Sequence, residues 1–104
     1  MQFDVYQNEN AAVKNDVPFL LDVQSEVLDG LETRVVIPLF VRRKFLNKLP
    51  THIMPIFNVG GMEVVAVTSQ MAGVSKRELR NCVANLAQAR SQIIAALDFV
   101  FTGV

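Results

Sequence analysis

The sequence predicts an α+β domain, a barrel-like sheet built strands first with one C-terminal helix laid across it. Three observations carry this. Short β-branched runs with a period of two, or apolar throughout, fill the first three quarters of the chain. Two of them flank Gly60 and Gly61, and beyond Gly73 the apolar period lengthens toward that of a helix.

Met1, Phe3 and Val5 alternate with Gln2 and Asp4, so a first strand with one buried face is expected from Met1 onward. Residues 7–17 are polar and aperiodic and end at Pro18, the signature of a surface loop. FLLDV from Phe19 resumes an apolar run, and Asp22 to Gly30 is broken by Ser, Glu, Asp and Gly. RVVIPLFV, from Arg34, is the densest β-branched stretch and reads as a buried strand. Its Pro38 marks a bulge or an edge, because proline brings no ladder donor. RRKFLNKLP interrupts the pattern before HIMPIFNV and MEVVAVTS, whose connecting glycines tolerate the positive φ of a tight hairpin. Further on, Ser75 can cap a helix, with Leu79, Val83 and Leu86 near helical spacing, although NCVANL also fits a short strand. From Ala87 the pattern is helical: Ala89, Ile93, Ile94, Leu97 and Val100 share a face opposite Gln88, Arg90, Ser91 and Gln92. The helix therefore starts somewhere between Ser75 and Ala89.

Composition narrows the function. At 104 residues the chain is expected to be one domain, 1–104. Its apolar fraction of 51% against 19% charged residues exceeds what so small a sphere can bury alone, which points to a dimer or a bound partner. Net charge is zero, so no long-range field draws the domain to nucleic acid or an anionic membrane. Cys82 stands alone, which excludes an intramolecular disulfide and a thiolate metal site and fits a reducing cytoplasm. The N-terminus has no signal-peptide pattern, and no apolar run is long enough to cross a bilayer.

No motif specifies catalysis. His52, the one histidine, heads a strand without a neighbouring Ser or Cys nucleophile. Asp22, Glu26, Asp29 and Glu32 lack the spacing of a calcium loop and read as a solvated turn. The basic run Arg42 to Lys44 reads as a solvated turn as well, and Gly60-Gly61 lacks the Lys and Ser/Thr of a phosphate loop. Met54, Met62 and Met71 are expected to fill the core. The final stretch DFVFTGV is apolar with no charge or proline to cap it, so it is expected to be covered or used.

The order of short motifs adds to this. MQF-x-VY at the start, DVQS at Asp22 to Ser25, R-x-VIPL at Arg34 to Leu39, a glycine-containing hairpin after Pro55, Met71-Ala72, and F-x-G at Phe101 to Gly103 together resemble the CcdB family of toxins from toxin–antitoxin modules, essentially end to end. The resemblance implies an SH3-like β-barrel, an antiparallel main sheet plus a smaller sheet with a C-terminal α-helix, that forms a homodimer in the bacterial cytoplasm. It implies no enzyme activity, no cofactor and no metal. It implies binding to the A subunit of DNA gyrase, with trapping of the cleaved gyrase–DNA complex. It also implies a CcdA-type antitoxin whose disordered C-terminal arm folds onto the toxin. Toxin and antitoxin together repress their operon, so operator DNA is met only through the antitoxin.

Carried onto this chain, the gyrase-binding residues are Val27, Leu28, Asp98, Phe101, Thr102, Gly103 and Val104. Two of them depart from the family's pattern: Thr102 replaces a tryptophan that stacks on a gyrase arginine, and Asp98 replaces an asparagine. Phe99 or Phe101 is left to supply ring surface, and Asp98 offers charge to an arginine. The rival reading is an endoribonuclease like the MazF/Kid toxins on the same barrel, using Arg34, His52 or the Arg42 to Lys44 run. A third is a dimer that only binds antitoxin.

Overall fold

In a computed structural model that describes residues 1–45 and 47–103, the strand expected around Arg34 is the spine. Seven strands, β1 (Asp4–Gln7), β2 (Phe19–Asp22), β3 (Thr33–Val41), β4 (Ile56–Val59), β5 (Met62–Ala66), β6 (Ala72–Ser75) and β7 (Cys82–Asn85), precede one helix, α1 (Arg90–Thr102). All pairings are antiparallel, in the order β4-β5-β3-β2-β1-β7. β3 serves two partners along one edge: Thr33 to Val36 pair with β6, and Leu39 to Val41 pair with β5. That change of partner curls the sheet into the half-barrel expected of an SH3-like α+β fold.

Pro38 sits where the partner changes. Its carbonyl accepts from Val67 N (3.1 Å), so its missing N–H would face that same side, in the gap between β6 and β5. No ladder bond is lost, and proline is tolerated in a central strand for that reason.

The concave face is apolar. Val5, Leu21, Ile37, Leu39, Val64 and Ala66 point inward, Phe57 and Val59 join them from β4, and α1 closes the cluster with Ile93 while Ile94 and Leu97 pack at its margin. The β4–β5 hairpin turns at Gly60 (φ 59°) and Gly61 (φ 86°), between the paired Val59 and Met62. Positive φ at both central residues is what such a two-residue hairpin demands, and Asn58 Oδ1 accepts from Gly61 N (3.0 Å).

Three expectations are corrected. The first strand begins at Asp4, not Met1: Asp4 N bonds back to Met1 O, and Phe3 takes φ 71°. β2 and the residue just past β7 hold Phe3 at once, its N–H donating to Asp22 O (2.6 Å) and its carbonyl accepting from Leu86 N (2.8 Å). This holds its ring in the core in a conformation most side chains avoid. Of the residues around Ser75, only Lys76–Glu78 form a helical turn, a 3₁₀ turn capped by Ser75 Oγ; Cys82–Asn85 is the short strand β7, and α1 starts at Arg90 after a 3₁₀ turn at Ala87–Ala89. Met62 is exposed rather than core.

Leu39 is fully buried and Val27 is 91% exposed. Leu39→Ala is therefore expected to lower unfolding free energy by about 2–5 kcal/mol in a urea titration, through lost transfer energy and the cavity left behind. Val27→Ala should change it by less than about 0.5 kcal/mol.

Candidate functional site

Asp22 and Arg34 leave the solvent together. Asp22 was expected in a solvated turn, yet it is 1% exposed and Arg34 is 3% exposed. In the β2–β3 register Asp22 opposes Val36, which places it diagonal to Arg34 on the same face of the sheet. Arg34 Nε donates to Asp22 Oδ2 (3.0 Å) and Nη2 to Asp22 Oδ1 (3.1 Å), a bidentate pair. Nη2 also donates to Gln24 O (3.0 Å), while Nη1 reaches out to Asp29 Oδ1 (2.8 Å). Glu26 lies 3.6 Å away. Burial works against the Arg34 charge, but the bonds and field of Asp22, helped by Glu26 and Asp29, overcome it and hold the guanidinium above its ordinary pKa.

The network explains DVQS residue by residue. Asp22 supplies the carboxylate and also accepts from Gln24 N (3.0 Å), ending β2 in an Asx-type turn. Val23 turns into the core. Gln24 spends its whole side-chain amide on the backbone: Nε2 donates to Leu28 O (3.1 Å) and Thr33 O (3.2 Å), and Oε1 accepts from Val35 N (3.0 Å). Ser25 Oγ accepts from Val27 N (3.2 Å) and caps a 3₁₀ turn, Glu26–Leu28. The connection between β2 and β3 is thus braced from within, and its apolar side chains, Val27, Leu28 and Leu31, face outward.

The other predicted residues lie at the end of α1. Asp98 is exposed, Phe101 is 71% exposed, and Thr102 Oγ1 donates to Asp98 O (2.7 Å). Gly103 ends the helix in the left-handed region (φ 74°), its N–H bonding Phe99 O (2.8 Å). Val104 lies outside the described residues. Phe99 is half-buried with its ring edge-on to His52, centroids 4.5 Å apart, so Phe101 is the ring left to solvent in this segment. The uncapped apolar end is partly used by the fold, through Phe99, and partly displayed, through Phe101.

His52 packs on an aromatic ring, and Arg42 to Lys44 form a 3₁₀ turn in which Arg43 and Lys44 are exposed and the half-buried Arg42 donates from Nη1 to Phe45 O (2.6 Å). Among the described residues no group of His, Cys, Asp and Glu could hold a metal ion. A cleft of about 590 Å³, floored by Val17, Leu20, Pro38 and Phe40, contains none of the predicted site residues. Sequence reasoning missed the Asp22–Arg34–Gln24 network; the available signal was an acid ending one apolar run and an arginine opening the next.

Residues 2–103 match the family described as CcdB protein. The chain belongs to the CcdB family. Membership makes it the toxin partner of a toxin–antitoxin pair. The fold is also similar to that of a solved structure, the Mycobacterium tuberculosis toxin MazF-mt6, with a TM-score of 0.68 over 97% of this chain and 96% of that one. At 16% identity this likeness concerns the barrel alone. In this CcdB-family chain no helix among the described residues is long and apolar enough to cross a membrane.

The Met1 amine joins Tyr6 to the network: it lies 3.6 Å from Asp22 Oδ2 and donates to the Tyr6 hydroxyl (3.4 Å), which itself lies 3.5 Å from Asp4 Oδ2. Burial, with the fields of Asp4 and Asp22, pushes its phenol from 10.0 up to about 12. The fold thus favours the neutral phenol, so stability is intact below pH ~10 and falls as pH rises from about 10 to 12, where the unfolded chain ionises first. The chain has a single tyrosine and no tryptophan, so phenolate absorbance near 295 nm reads this group alone. A titration of the folded protein should show a midpoint well above that of the urea-unfolded chain.

Proposed function

We propose that the protein is a gyrase poison: a homodimer that binds the A subunit of DNA gyrase and traps the cleaved gyrase–DNA complex, with no catalysis of its own. The observation that carries this reading is the display of Val27 at 91% exposure, with Leu28 beside it, on a connection rigidly tied to the buried ion pair. A monomer gains nothing by presenting aliphatic side chains on a braced loop, whereas a binding surface gains affinity from contacts fixed in advance. The second patch is the end of α1. There Phe101 supplies the ring surface, Asp98 a carboxylate for a gyrase arginine, and Thr102, Gly103 and Val104 complete the segment. Thr102 cannot stack, and its hydroxyl is bonded to its own helix. The antitoxin's disordered arm covers the toxin and relieves the poisoning, and the two together repress their operon in the bacterial cytoplasm.

The endoribonuclease alternative needs Arg34, His52 or the Arg42 to Lys44 run at a phosphate. Arg34 is buried and its three nitrogens are committed to Asp22, Asp29 and Gln24 O; His52 lies against Phe99. What remains is a basic turn whose Lys44 is paired with Asp16 (3.5 Å) and beside which no histidine is placed, which favours the binding protein over the nuclease.

Incubation with gyrase, supercoiled plasmid and ATP, followed by detergent and protease, should release linear DNA. Phe101→Ala should raise the concentration needed about 2- to 30-fold, the span of a lost cation–π contact of 0.5–2 kcal/mol. Removal of residues 102–104 should abolish the linear product. Absence of linear DNA with gyrase of the native host, or cleavage of RNA in a parallel reaction, would overturn the proposal.

A further inference from the structure

We infer that the partner surface on the β2–β3 connection has a third contact residue, Leu31, and that Arg34, acting through Asp29, is the positioning residue that holds this surface in shape. The inference rests on the reading of Val27 and Leu28 as gyrase contacts, and extends it to residues that reading does not include.

Leu31 is 50% exposed, as much as Leu28 at 49%, and it lies on the same short connection. Its N–H donates to Leu28 O (3.1 Å), which folds residues 28–31 into a second turn directly after the first. Leu28 N and Asp29 N bond Ser25 O and Glu26 O, both at 3.0 Å. Val27, Leu28 and Leu31 are therefore side chains of one hydrogen-bonded unit rather than three points on a floppy loop. An unbraced loop of this composition would fold its apolar side chains back onto the protein; here the backbone is held while they stay in water.

The bracing comes from two sides. Arg34 uses Nε and Nη2 to grip the buried Asp22, which fixes the plane of the guanidinium, so Nη1 is presented in one direction and meets Asp29 Oδ1. Lys76, following β6, bonds Asp29 O and lies 3.8 Å from its carboxylate. Asp29 is itself 63% exposed, so most of what it does is to join the loop to these two cations. Arginine suits the role because its fork can hold an anchor and a tether at once, which a lysine ammonium on a flexible stem cannot. Binding energy that would otherwise go into ordering the loop is left for contact with the partner.

The test compares wild type with Leu31→Ala, Asp29→Ala, Asp29→Asn and Val27→Ala, each as the full chain. Two readouts are used: amide hydrogen exchange, and the concentration giving half-maximal linear DNA with gyrase. Asp29→Ala leaves the Asp22–Arg34 pair intact, so the midpoint of thermal unfolding should stay within a few degrees. Exchange at the Leu28 and Leu31 amides should nevertheless quicken about tenfold or more, with the Val35 amide unchanged. The poisoning concentration should rise about 5- to 10-fold for Asp29→Ala and for Leu31→Ala. Asp29→Asn, which keeps an oxygen for Nη1, should recover most of the loss. If Val27→Ala weakens poisoning while Leu31→Ala and Asp29→Ala match wild type, the inference fails and the gyrase surface stands. If Val27→Ala has no effect, the gyrase reading of this loop fails, and unchanged exchange in Asp29→Ala would independently remove the positioning role.

Discussion

A carboxylate and a guanidinium taken out of water together set the terms for one half of this molecule. Each would be prohibitive alone, since the desolvation of a single buried ion amounts to several kcal/mol even after relaxation. As a bidentate pair whose remaining donors reach Gln24 O and Asp29, they leave no buried side-chain polar atom unsatisfied among the described residues. The pair also constrains register. A slip of one residue between β2 and β3 would turn Asp22 toward the apolar concave face and separate it from Arg34, so the ion pair and the inward-facing Leu21, Ile37 and Leu39 demand the same alignment. Everything between the two strands inherits that precision. Gln24 clamps the mouth of the connection, Asp29 ties its middle, and the exposed aliphatic residues come at fixed places.

Local rules made much of the fold legible. Gly60-Gly61 between two β-rich runs signals a tight hairpin, the β-branched run after Arg34 reads as buried strand, and the helical stripe from Ala87 carries its period plainly. Pro38 was readable as a place where no donor is needed, although its reason, a change of partner along β3, is a fact of tertiary pairing. Phe3 was not readable, because its positive φ is imposed by Asp22 and Leu86, one on a later strand and the other beyond the last. The tract from Ser75 to Leu86 was ambiguous for a simple reason: Leu79, Val83 and Leu86 are separated by three or four residues, which mimics a helix, while the backbone donors of Cys82–Asn85 are claimed by β1. Asp22 was misread because an acid among Ser, Glu, Asp and Gly looks solvated until strand pairing places an arginine beside it.

The candidate site was legible in part. Val27 and Phe101 stand as exposed apolar residues, which the motifs imply and composition alone does not. Phe99 was interchangeable with Phe101 in sequence, and the structure separates them by giving Phe99 to His52. The fold itself discriminates little: the barrel that overlays on MazF-mt6 over nearly its full length is shared at 16% identity, so any difference in action must come from what the connections and the last helical turn display. On this chain the β2–β3 connection displays Val27, Leu28 and Leu31, and the last turns of α1 display Phe101 and Asp98.

Asp22 and Arg34 act as one buried unit. A double-mutant cycle with Asp22→Asn and Arg34→Met, read as unfolding free energy in urea, measures that directly. Each single variant should lose about 3–5 kcal/mol, because a buried charge is left without its bidentate partner, while the double variant should lose less than the sum by at least ~2 kcal/mol. Losses that simply add, to within about 0.5 kcal/mol, would show two independent side chains and contradict the account.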